Sequence, residues 1–498
     1  MRRLAAVLAF ALALPAFAPV PAAAQSQLPT LGDTGDMTTG AERQLGEKVA
    51  REMYRDPDYI DDPVIVEYVQ GIWQRLLAAA RARGELNPEI DQRFAWKVLL
   101  GKDRIINAFA LPGGWLGLQL GLVSVTANSD ELASVLAHEL SHVTQRHISR
   151  MLTQEKQQGP LLLAAMVLGA LVASRNPDAG SAVLAGTQGL AMSQQLSFSR
   201  DMEREADRIG FGVMTQAGYN PRGFVTMFDK LEQASRLNDN GAYPYLRTHP
   251  MTTERIAEMQ SRQQLQDEPP IQTTLEHAMI AGRAKVYANP GVDALRAMVA
   301  EPAASGFAAL PRARQAGALY AAAFAASRLR DAPAAARLLT RLQAVAQGDA
   351  AGQRLAQLLA AEIALGQGDP APALRLTQAD GTRRPELLLS AQAEVRSGQA
   401  ADAAQRLQTW VATQPRDATA WELLSTAYTA EHQPLRAVRA DAESKVAQLD
   451  YAAALDRLKA GQDMVRRGGP GIDNIEASII DTRARAVASL LREQTLER

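Results

Sequence analysis

No cysteine occurs among the 498 residues. Disulfides and thiolate metal ligands are therefore excluded, and a transition-metal site would have to use imidazole and carboxylate. Aromatic residues make up only 5% of the chain. Together with abundant alanine, that scarcity favours close-packed helices over a β-sandwich. Neither sign of charge dominates: 53 Lys and Arg stand against 54 Asp and Glu, a formal net charge of −1. Without a strong field, no nucleic-acid or acidic-polymer partner is expected. The strongly apolar runs Leu4 to Leu14 and Pro160 to Ala173 fall short of the roughly 20 residues that a membrane-spanning helix needs.

What is present divides the chain into three parts. Arg2 and Arg3 precede the first apolar run, and Ala22-Ala23-Ala24 offers a small-residue cleavage site before Gln25. Residues 1–24 are read as a signal peptide, and the mature chain is expected in the bacterial periplasm. With no cysteine, lipoprotein processing is excluded. Residues 25–290 are expected to form the first domain and residues 291–498 the second. From about Ala303 the texture becomes helical, rich in Ala, Leu, Gln and Arg, with short turns at Gly or Pro. Trp421, Leu424, Tyr428 and Ala437 are spaced as in a tetratricopeptide repeat, with Ser425 in place of the usual Gly. Such a helical solenoid offers a curved surface for docking other proteins.

In the first domain, Pro63 to Arg83 has a helical apolar stripe. Phe94 to Leu100, Ile105 to Leu111 and Trp115 to Leu120 read as strands, the last two joined at the turn Pro112-Gly113-Gly114. Asn128-Ser129-Asp130 supplies helix caps for a helix running to about Arg150. Pro160 to Ala173 allows two readings: a buried helix, or one that covers the active site or touches a membrane peripherally.

The chemistry centres on His138-Glu139-Leu140-Ser141-His142, which takes two of only six histidines. On a helix, His138 and His142 share a face one turn apart, and two imidazoles so placed reach one ion. Glu139 lies about 100° round, positioned to touch a water on that ion rather than the ion itself. This is the pattern of a zinc peptidase, in which the carboxylate takes the proton of the attacking water. A third protein ligand is needed. Ile148 occupies the place where a metzincin would carry its histidine. His147 follows His138 by nine residues and would face the far side of a continuous helix, so it reads as structural or exposed. Glu203 lies on a separate helix, with Asp207 one turn on, but a solvated charged helix start would look the same.

His138-Glu139-x-x-His142 followed about sixty residues later by Ser199-Arg200-x-x-Glu203-x-x-Ala206-Asp207 resembles the zinc peptidase family of HtpX and the CAAX prenyl proteases. Asn107-Ala108-Phe109-Ala110 with Pro112-Gly113-Gly114 matches the same family. The resemblance implies an α+β zincin-like metallopeptidase domain, mostly helical with a small β-sheet, followed by the α-helical tetratricopeptide-repeat solenoid. It implies one Zn²⁺ per chain, held by His138, His142 and Glu203, with Glu139 as general base and Asp207 in support. Substrate would add as a strand beside the Phe109 or Trp115 edge.

A signal, one catalytic domain and C-terminal repeats look most like the soluble periplasmic branch of that family, which works in outer-membrane β-barrel assembly. That likeness implies unfolded or misassembled outer-membrane proteins as substrates and the outer-membrane assembly machinery as partner of the repeats. In that branch a His-Pro acts as a switch on the zinc, which draws in His249-Pro250. His249 would either plug the fourth zinc position or stabilise the transition state, and the plug is the expected role. The rival function is a non-proteolytic chaperone or scaffold for outer-membrane protein assembly with a latent metal site.

Overall fold

A computed structural model describes residues 37–154, 199–237, 245–263, 271, 273–377, 383–468 and 473–496. The expected signal peptide and the apolar segment 160–173 lie outside the described residues. Among the described residues, no helix is long and apolar enough to cross a membrane. The chain is mostly helical with a small mixed sheet.

Side-chain caps explain where the first helices begin. Thr38 accepts from the Ala41 N–H to start α1 (Thr39–Arg55). The short strand β1 (Tyr59–Ile60) follows. Asp62 then caps α2 (Pro63–Ala82), whose first residue is a proline that needs no amide donor. Helix α2 buries Val64, Ile65, Val69, Ile72, Trp73, Leu76 and Leu77. After α3 (Pro88–Arg93) come β2 (Lys97–Gly101), β3 (Ala108–Leu111) and β4 (Trp115–Gln119). The turn between β3 and β4 puts Gly113 at φ 72°, a conformation that a Cβ disfavours.

The sheet order is β1-β2-β4-β3. β2 and β4 run parallel, and β3 pairs antiparallel with β4. Of the two edges expected to receive substrate, only the Phe109 strand is one. Trp115 sits on β4, whose two sides are taken by β2 and β3.

Helix α4 (Leu120–Val125) takes the end of the apolar run after β4. Asn128 caps α5 (Ser129–Thr144) by accepting from the Glu131 N–H at 2.9 Å. The expected continuous helix to Arg150 is broken: α6 (His147–Gln154) starts after Arg146, which adopts φ 51°. The first domain then continues through α7 (Arg200–Gln216), α8 (Arg222–Leu237), α9 (Tyr245–Thr248), α10 (Thr253–Gln263) and α11 (Leu275–Ala288).

One apolar core runs from Val64 to Ala393, so no break in packing falls at residue 290. Helix α11 packs on α2, α4 and the helix Arg312–Arg328. The buried Arg283 of α11 pairs with Asp62 at 2.6 Å and with Glu362 at 2.7 Å, tying the start of α2 to the C-terminal helices. Beyond Arg312, successive helices pack on one another through short turns. In the helices Ala418–Ala430 and Pro434–Ala447, Leu424, Tyr428 and Ala437 are buried together. Ser425 satisfies its hydroxyl by donating to the Ala437 carbonyl at 2.8 Å.

His277 of α11 is buried among the first-domain elements. The Tyr68 hydroxyl donates to its Nδ1 at 2.8 Å, and its Nε2–H donates to the Thr126 carbonyl at 2.9 Å. Burial pushes its pKa down from 6.5 to about 4. The unfolded chain therefore binds the extra proton first as pH falls. The stability contributed at neutral pH is lost between about 6.5 and about 4, roughly 2 kcal/mol of it between pH 7 and pH 5. Urea unfolding at both pH values should show His277→Leu losing about 2 kcal/mol less than the wild-type chain across that interval. Equal losses would mean that His277 is not kept neutral in the fold.

Candidate metal centre

The site lies where α5, α7 and the α9–α10 connection meet. Helix α7 crosses α5 closely: a Cβ on Gly210 would come 3.1 Å from the Ala137 carbonyl and the His138 amide. Ala206 is fully buried at the same contact. Glu203 and Asp207 share one face of α7, and both are turned to His138. Ser199 caps the helix by accepting from the Met202 N–H.

His138 presents Nδ1 to Asp207 Oδ1 at 2.9 Å. Its Nε2 is 3.0 Å from His142 Nε2 and 3.6 Å from Glu203 Oε2. His142 Nε2 is 3.4 Å from Glu203 Oε1. Ligands about 2.05 Å from a tetrahedral ion stand about 3.3 Å apart, so the donor atoms have the spacing of one small cation. Donor chemistry agrees. With its Nδ1 proton directed at a carboxylate, His138 has its lone pair on Nε2. Two imidazole nitrogens facing each other at that distance are stabilised by a proton or cation between them.

His249 also enters the cluster. Its ring is buried, with Nδ1 2.9 Å from Glu203 Oε1 and 3.3 Å from His138 Nε2, and Nε2 3.4 Å from Glu139 Oε1. His138, His142, Glu203 and His249 each offer one ligand atom within 4.8 Å of the others. Tyr245 stacks on the His249 ring with centroids 4.5 Å apart, and the Tyr245 carbonyl accepts the His249 N–H. Glu139 stands beside this set. Its Oε2 accepts the Ala110 N–H of the edge strand β3 at 2.8 Å, and its Oε1 makes no hydrogen bond among the described residues.

The electrostatics follow from burial among opposed charges. Burial opposes ionisation of Glu203, but the imidazoles of His249 and His138 hold its carboxyl well below the usual carboxylate range. Burial likewise disfavours the Asp207 carboxylate, which Arg255 outweighs by donating from Nε at 2.7 Å and from Nη2 at 2.8 Å. Burial keeps His142 well below its ordinary value and therefore neutral. For His249 burial acts in the same direction, yet Glu139 and Glu203 overcome it and raise its pKa.

All six expected site residues thus come together: His138, Glu139, His142, Glu203, Asp207 and His249 are each at most 1% exposed. Three neighbours were not expected there. Arg255 binds Asp207 and lies 2.7 Å from Glu203. Its only sequence signal is its place shortly after His249-Pro250. Tyr245 carries no signal. His147, expected on the far side of the helix as a structural or exposed residue, is turned to the site instead: it is fully buried, with Nδ1 2.9 Å from His142 Nδ1. The break at Arg146 cancels the geometry of a continuous helix.

Peptidase family M48 matches residues 67–263, which contain the whole site. The chain is 30% identical to the beta-barrel assembly-enhancing protease of Escherichia coli K12 over 475 residues, 94% of this chain and 93% of that one. It is 32% identical over 281 residues to a putative beta-barrel assembly-enhancing protease of Vibrio cholerae, covering 55% of this chain and 56% of that one. It is also 34% identical over 161 residues to the mitochondrial metalloendopeptidase OMA1 of Arabidopsis thaliana, 32% of this chain and 30% of that one. With its buried His and Glu cluster and these relatives, the chain belongs to peptidase family M48 and is a metallopeptidase.

Proposed function

We propose that the chain is a periplasmic, zinc-dependent endopeptidase that degrades unfolded or misassembled outer-membrane β-barrel proteins. In this reading it is directed to them by a C-terminal tetratricopeptide solenoid that docks on the outer-membrane assembly machinery. The observation that carries the catalytic part is the convergence of four buried donors from three segments, with Glu139 beside them and outside the donor set. The export signal, the substrate class and the docking role rest on the sequence reading and on the full-length likeness to a protease named for β-barrel assembly.

In this reading His138, His142 and Glu203 hold the ion, and Asp207, itself paired with Arg255, orients His138. When bound, the ion supplies Lewis acidity to the scissile carbonyl and to the attacking water. Strand β3 aligns an extended substrate by backbone hydrogen bonds along its free edge. Glu139 removes a proton from the water and returns one to the leaving amine. The Ala110 N–H, which donates to Glu139, orients that carboxylate. His249, stacked under Tyr245, sits among the donors and opposes entry of water, keeping the resting enzyme latent.

The test is digestion of a denatured β-barrel outer-membrane protein, with and without chelator, by the wild-type chain and His249→Ala. Cleavage that chelator abolishes and Zn²⁺ restores is expected. His249→Ala should raise the basal rate on the order of tenfold at constant zinc, as when a closed arrangement holds about nine-tenths of the molecules. A fall in rate at constant zinc would make His249 a transition-state group instead. The non-proteolytic chaperone draws on the same buried His249. It predicts that both proteins prevent aggregation of the substrate and leave it uncut, which would overturn the peptidase reading.

A further inference from the structure

On a continuous helix, His147 would lie about 140° round from His142. The chain does not continue the helix. After Gln145, Arg146 takes a left-handed φ of 51°. Arg146 is held there by α1 and the residue before its cap: its Nε donates to Glu42 Oε2 at 2.9 Å, and its Nη2 donates to the Met37 carbonyl. The reversal turns His147 back onto His142, with ring centroids 4.9 Å apart and planes at 75°. The two Nδ1 atoms are 2.9 Å apart. On its other side His147 Nε2 is 2.9 Å from Glu205 Oε2, which also accepts from Arg150 Nη1 at 3.2 Å.

Hydrogen-bond chemistry assigns the protons along this row. A carboxylate paired with arginine is an acceptor only, so neutral His147 carries its proton on Nε2. Its Nδ1 then has a lone pair and accepts. The bond between the two Nδ1 atoms needs one proton, which must belong to His142. That leaves the His142 lone pair on Nε2, the atom that faces His138 and Glu203.

We propose that His147, backed by Glu205, is a positioning residue that fixes the tautomer and ring orientation of His142 for the metal. The inference rests on the reading of His142 as a ligand. It gives the site a second outer support besides Asp207 on His138, and helix α7 supplies both carboxylates. Outer partners of this kind are worth about 10–100-fold in metal affinity.

The test measures Zn²⁺ affinity of the full chain by competition with a chromophoric chelator. It also records the visible spectrum of the Co²⁺-loaded protein and the melting of the metal-free protein. His147→Ala should bind Zn²⁺ about 10–100-fold more weakly, with an altered Co²⁺ spectrum, beyond any loss of stability that the metal-free melting shows. His147→Asn, whose Oδ1 accepts the His142 Nδ1 proton, should recover most of the affinity. Glu205→Ala should weaken binding too, because His147 is then free to move its proton to Nδ1 and become a competing donor.

Wild-type affinity and spectrum in His147→Ala would overturn the proposal, as would an Asn variant no better than Ala. If His147→Ala does not fold, unchanged affinity in Glu205→Ala overturns it. A wild-type chain that binds Zn²⁺ no better than His142→Ala would overturn the ligand reading itself, which separates the two failures.

Discussion

Glu139→Gln should abolish peptide hydrolysis and leave the metal bound. Glu139 is completely buried and is not a member of the donor cluster. Glutamine has the same shape, and its amide oxygen can still accept the Ala110 N–H that Glu139 Oε2 now accepts. The fold and the donor set therefore have no reason to change. What disappears is a proton acceptor. The other oxygen, which makes no hydrogen bond among the described residues and lies 3.4 Å from His249, would become an amide nitrogen with no lone pair to offer. General-base assistance of this kind contributes about 10²–10⁴-fold, so the rate should fall by on the order of 10³-fold or more. Metal analysis and peptide cleavage on the same preparation decide it. Loss of zinc from this variant would make Glu139 a ligand rather than a base.

Glu203→Ala should lose metal and activity together. Glu203 is the only carboxylate in the donor cluster, and in the proposed ligand set His138 and His142 without it make a weak site. A four-ligand zinc site of about 10–16 kcal/mol averages roughly 3 kcal/mol per ligand, so affinity should drop by about 10²-fold or more. The variant also removes a charge that Arg255 Nη1 approaches at 2.7 Å. Because Asp207 still takes two donors of Arg255, the guanidinium is not left unpaired. Chelator competition gives the result directly. Stoichiometric zinc in Glu203→Ala would place the third ligand elsewhere, and the double variant with His249→Ala would show whether His249 had taken over.

Local features were legible from residue order because their physics is local. The separation of His138 and His142 is set by helix pitch, their helix by a cap at Asn128, and the β3–β4 turn by Pro112-Gly113-Gly114. Glu203 and Asp207 also share a face at fixed spacing, but their meeting with His138 is not local. Only the resemblance to known peptidases brought them to the site from sequence, and the close crossing of α5 and α7 at Gly210 is how the fold does it.

Other features depended on contacts between distant segments. Which strand forms the sheet edge follows from the pairing of β2 with β4, which placed Trp115 inside. The reversal that turns His147 onto His142 needs Arg146 in a left-handed conformation, bonded to Glu42 and Met37 more than 100 residues earlier. No rule based on helix pitch anticipates it. Arg255 reaches Asp207 only because the His249 loop folds over α7. The change of texture near Ala303 suggests separate domains, yet Asp62 and the partly exposed Glu362 both pair with the buried Arg283, and one apolar core passes through the expected boundary. Residue order thus determined the metal-binding chemistry and the helix that carries it, since helix geometry is a property of neighbouring residues. Tertiary structure decided how that chemistry is oriented, covered and joined to the C-terminal helices, since those outcomes depend on groups that only folding brings within hydrogen-bond range.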